Sequence, residues 1–144
     1  MRTFVGNEFG RIVVMNLERG EKLIESIKAE VDRLGIKNAV LLTCIGSLLK
    51  TELHVVTVTD EKSLDKYISL DCAIELSSMQ GIVVDGQPHF HMVVSDQDKQ
   101  TYTGHLEPGC VVLYLAEIVL AEIKDLNLCR KLNANGIGML ALKD

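Results

Sequence analysis

The chain has 144 residues, 47% of them hydrophobic, 24% charged and 4% aromatic, with no tryptophan. Such a composition describes one globular domain, residues 1–144, with an aliphatic core. Fifteen Lys and Arg are scattered among 20 acids for a net charge of −5, whereas proteins that wrap nucleic acid depend on a basic patch, so charge argues against that partner.

The longest run without Asp, Glu, Lys or Arg, 38–49, has 12 residues, short of the roughly 20 that cross a bilayer. Residues 1–10 lack the apolar segment of a signal peptide, so no membrane partner and a cytoplasmic location are expected. A mean hydropathy of +0.19 is apolar for a small monomer and predicts surface buried between subunits.

In chain order, 11–17 reads as a strand of aliphatic and β-branched residues. The segment 21–35 predicts a helix: Leu23, Ile24, Ile27, Val31 and Leu34 recur at helical spacing, and Gly35 sits where a C-terminal cap belongs. Strands follow at 39–45 and 52–58, then 60–65 as a loop or short helical turn. Further strands are predicted at 67–76, 89–95, 101–106 and 111–123. "NANG", 133–136, signals a turn before a last apolar run, 137–142. One helix among many closely spaced strands, without β-α alternation, predicts an α+β domain with a mostly antiparallel central sheet.

Cys44, Cys72, Cys110 and Cys129 are far apart and flanked by apolar residues, which predicts reduced thiols, mostly in the core. Glu117 and Glu122 interrupt the apolar run 111–123 and should face solvent, a pocket or a partner subunit. His54, alone in "ELHVVTV", reads as an ordinary strand residue.

The chemistry concentrates in "GQPHFHMVVSDQDKQTYTGHLEPG", 86–109, which holds three of the four histidines. Residues at i and i+2 share a strand face, so His89 and His91 point the same way. A two-residue turn between Gln97 and Asp98 would oppose Phe90 to His105 and send His105 to the other face. An odd-length loop centred on Asp98 opposes His91 to His105 and His89 to Glu107, and a bulge at Gly104 could also re-aim His105. Three imidazoles on one face suit zinc or another borderline divalent metal, and three protein ligands leave one position open. Glu107, Glu117 and Cys110 are candidates to close the site or to receive a hydrogen bond from bound water. The bland alternative is an ordinary hairpin that binds nothing.

The stretch 81–120, with G-x-P-H-x-H, then S-D, then G-H-L-x-x-G, then an A-E pair in an apolar strand, resembles the prokaryotic branch of the plant-and-prokaryote-conserved (PPC) domain. Residues 17–53 are similar to that family's strand–helix–strand entry, including Ile45-Gly46-Ser47. The resemblance implies a homotrimer built on a mostly antiparallel sheet, with His89, His91 and His105 as the family's three metal-site histidines. It assigns no activity to free-standing members. Plant members join the domain to basic AT-hooks of R-G-R-P type, which do not occur in this sequence, so DNA association rests on family analogy alone.

These readings converge on a self-associating protein with a three-histidine metal site, acting in binding or regulation, with a small molecule as its potential ligand. The competing expectation is a metal-dependent, hydrolase-like enzyme in which metal-bound water is the nucleophile and Glu107 or Glu117 the base. DNA association is a third, weaker expectation.

Overall fold

The structure, a computed structural model, describes residues 1–143. Its elements are β1 (Phe9–Glu18), α1 (Leu23–Leu34), β2 (Ala39–Val56), β3 (Asp65–Leu70), β4 (Ile74–Val84), β5 (Gln87–Ser95), β6 (Thr101–Leu106), β7 (Val111–Ile123), β8 (Leu128–Leu132) and β9 (Gly138–Leu142). Seven strands form one sheet in the order β1-β7-β2-β4-β5-β6, with β3 alongside β2, while β8 and β9 form a separate hairpin. Every pairing is antiparallel. The predicted sheet and single helix are therefore present.

The helix forms where its apolar stripe predicts. Leu23, Ile27 and Val31 are buried, and Gly35, at φ 68°, ends it with its N–H donating to the carbonyls of Asp32 and Val31. This stripe joins Leu48, Leu76, Phe90, Met92, Leu106, Ile118 and Leu120 in one core. The inward residues of each strand fill that core, and their alternate neighbours form an outer sheet face.

Several strand boundaries differ from expectation. The two strands predicted at 39–45 and 52–58 are one 18-residue strand, β2, with register shifts at Leu41/Thr43, Gly46/Leu48 and Leu48/Lys50. Such irregularities bend a strand, and β2 uses the bend to pair with β4 and β7 along its first part and with β3 and β6 along its last. Strands β2, β4, β5 and β6 thus close into a ring. The predicted strand 67–76 breaks at Asp71–Ala73, and β4 continues through "SSMQGIVV" to Val84. The 60–65 stretch is loop until β3 begins at Asp65. Strand β8, "LCRKL", was not anticipated.

Candidate metal centre

Strand parity decides where His105 points. Strands β5 and β6 pair from Ser95 opposite Thr101 to His91 opposite His105, so the loop 96–100 is odd and centred on Asp98. Asp96 holds it closed: its Oδ1 accepts the N–H groups of Asp98 at 2.9 Å and Gln100 at 3.0 Å, and Lys99 adopts φ 64°. No bulge at Gly104 is needed. The expected His89–Glu107 pairing does not form, because the chain past Leu106 turns to β2 and Glu107 N–H donates to the Glu52 carbonyl at 3.0 Å.

The outer face of β5 and β6 therefore carries His89, His91 and His105 together, while Phe90, Met92 and Leu106 fill the core behind them. Ring centroids are 5.4 Å apart for His89–His91, 4.7 Å for His89–His105 and 5.2 Å for His91–His105. One nitrogen from each ring lies within 4.8 Å of the others. A tetrahedral ion with metal–nitrogen bonds of about 2.0–2.1 Å sets its ligand nitrogens about 3.3 Å apart, a separation that small side-chain rotations reach.

The protonation state suits metal binding, which needs neutral imidazoles. Burial, followed by the positive charge of Arg130, pushes His89 down to about 4. Burial also lowers His91, helped by His54. For His105, burial and His54 lower the pKa against an opposing pull from Glu107. Each of these shifts favours the neutral ring that a metal requires.

Two glycines let the backbones come close enough. Gly81 lies opposite Phe90 at φ 144°, and a Cβ there would meet the His89 carbonyl at 2.1 Å. A Cβ on Gly104 would meet the His54 carbonyl at 2.5 Å. With no side chain at 104, the end of β2 closes onto β6 and places His54 opposite His105.

That closure adds a residue that local sequence did not reveal. The His54 ring lies 4.6 Å from His105, and its Nδ1–H donates to Glu107 Oε1 at 2.6 Å. Glu107 Oε1 is also 3.9 Å from His105 Nε2. All four histidines and Glu107 thus share one patch. A lone histidine among apolar strand residues was the only available signal, since its neighbours arrive through a pairing more than 50 residues distant. Arg130 was equally hidden; its Nη1 donates to the Gly138 carbonyl at 3.1 Å, and its Nε is buried without a hydrogen-bond partner among the described residues.

The other candidates lie elsewhere. Glu117 is exposed on β7, opposite Asn16 and Ile45, in the part of β2 that pairs with β7 and β4 and not in the part that meets β6 at His54. Cys110 is buried and faces the Glu52 backbone, with Sγ accepting its N–H at 3.1 Å; burial pushes the thiol up to about 11. Cys44 is also buried, Cys129 is half-buried and Cys72 exposed, all as free thiols. Glu122 pairs with Arg11 at 2.8 and 2.9 Å, tying β7 to β1.

Among solved structures, the fold matches a plant- and prokaryote-conserved protein of Pyrococcus horikoshii at 29% identity and TM-score 0.83, covering 100% of this chain and 99% of that one. A metal-containing protein of Archaeoglobus fulgidus shares the fold at 20% identity and TM-score 0.79, with both chains fully covered. The bifunctional protein GlmU of a Synechococcus strain is 29% identical over 111 residues, which are 74% of this chain but 17% of that protein. Residues 5–124 match the Plants and Prokaryotes Conserved (PCC) domain, and the chain belongs to that family.

Proposed function

We propose that this protein binds a divalent metal ion, zinc or a similar borderline cation, through His89, His91 and His105, and acts in binding or regulation as a self-associating domain. The convergence of three neutral imidazoles on one sheet face carries the reading. The metal content of the Archaeoglobus protein of the same fold supports it. A set of three protein ligands leaves a coordination position for a small-molecule ligand.

Self-association is supported by the outer face of β1, β7 and β2. Ile12, Val14, Ile45 and Leu115 are 58%, 71%, 48% and 42% exposed there, large apolar side chains set around Asn16 and Glu117 that a second copy would cover. The trimeric state follows the family resemblance.

An enzymatic reading has one specific observation in its favour: Glu107 lies on the histidine patch, while Glu117 does not. The ion would polarise a substrate or water, and Glu107 would accept the proton.

Elemental analysis of protein purified without a His-tag tests the metal site. A stoichiometric ion, lost from the His89→Ala/His91→Ala/His105→Ala variant, is expected. A metal-free native protein, or metal retained by the variant, would overturn the reading.

A further inference from the structure

His105 belongs to two groups of ligand atoms. One is the triad with His89 and His91; the other is formed with His54 and Glu107, again with all donor atoms within 4.8 Å of one another. The second group comes from β2 and β6 and owes its existence to the closure of the strand ring at Gly104.

We propose that the patch is a two-cation centre, with a second divalent ion seated between His54 and Glu107 beside the ion on His89, His91 and His105. The proposal rests on the metal reading of the first triad.

Four observations favour this position. His54 Nδ1 and Glu107 Oε1, 2.6 Å apart, share one proton between a nitrogen and a carboxylate oxygen, and a cation taking both ligands replaces that proton. Glu107 also supplies negative charge that the all-imidazole triad lacks. Asp65 lies at the other edge of the ring, its Oδ2 4.0 Å from His54 Nε2, and favours the Nε2–H tautomer that leaves Nδ1 free for a cation. Both His54 and Glu107 keep about a fifth of their side-chain surface exposed, 20% and 24%, so an ion can enter from solvent.

A neutral imidazole offers one lone pair, so His105 serves the first cation. The second rests on His54, Glu107 and solvent. With fewer protein ligands it binds more weakly than the first, and its donor set of one nitrogen and one carboxylate oxygen accepts Zn²⁺, Mn²⁺ or Co²⁺.

Equilibrium dialysis of the untagged chain against Zn²⁺ separates the two positions. The expected native result is about two equivalents per chain, the second bound more weakly than the first. His54→Gln and Glu107→Gln should each lose the weaker equivalent and keep the tighter one, whereas His91→Gln loses the tighter. One equivalent, lost in His91→Gln and indifferent to His54→Gln and Glu107→Gln, overturns the second position while leaving the first triad standing. No bound Zn²⁺ overturns both. Native protein loaded with Mn²⁺ gives a check that needs no variant. A spin-coupled electron paramagnetic resonance signal at saturation is expected, and isolated six-line spectra at every loading would contradict a paired centre.

Discussion

His91 and His105 stand directly opposite each other across β5 and β6, their rings 5.2 Å apart and nearly perpendicular. This pairing follows from a loop of odd length, 96–100, and a one-residue change in it would send every outward side chain of β6 into the core. Deleting Gln97 should therefore separate His105 from His91 and abolish metal binding. The deletion should also cost several kcal/mol, since a polar face would be forced inward. Metal titration and urea unfolding check both effects.

The two close backbone approaches give a second expectation. Gly104→Ala places a Cβ 2.5 Å from the His54 carbonyl oxygen, so β2 must move off β6. A loss of about 1–3 kcal/mol, the usual cost of overpacking, is expected in the urea midpoint. The His54–His105 contact should loosen with it, visible as altered imidazole resonances. Gly81→Ala should be worse, because its φ of 144° also disfavours any side chain.

The depressed imidazoles make stability pH-dependent. His89 titrates near 4 in the folded chain against 6.5 for the free group, so the unfolded state binds more protons between those values. Stability from this group is complete above about pH 6.5 and is lost as pH falls toward 4. His91 and His105 act in the same direction. Urea midpoints of metal-free protein should fall across that window, and fall less steeply when His89 is replaced by Gln. An unchanged slope in the variant would remove His89 as the cause.

Arg130 opposes charge on the patch. It lowers His89 after the larger effect of burial and also acts on His105. Arg130→Gln should raise the His89 pKa part of the way toward 6.5 in a proton NMR titration. It should also tighten binding of the first cation, since a positive neighbour repels both proton and ion.

The apolar outer face predicts association. Val14 is 71% exposed beside Val119, and burying such a side chain contributes about 1.5–3 kcal/mol. Val14→Asp and Ile45→Asp should shift the protein to a smaller species in light scattering, with the fold unchanged by circular dichroism. Glu107→Gln, on the histidine patch, should leave the assembly intact.

Much of this architecture was legible because it depends on local rules. Helix α1 follows its apolar spacing, and the His91–His105 register follows loop parity once both strands are recognised. What escaped depends on distant pairing. Nothing near His54 indicates that β2 will bend and close onto β6, and the glycine that permits it, Gly104, sits on another strand about 50 residues away. Gly104 drew attention as a bulge site, yet its role is to have no side chain where two backbones meet. Strand β8 was missed because "LCRKL" is short and charged, and so Arg130 could not be connected to the histidines.

The proposed function depends on a metal ion seated among His89, His91 and His105. Anomalous diffraction from crystals of untagged protein grown with Zn²⁺, recorded on both sides of the zinc absorption edge, tests it most directly. A peak about 2.0–2.1 Å from one nitrogen of each ring is expected. Zinc-loaded crystals with no anomalous peak among the three rings would contradict it.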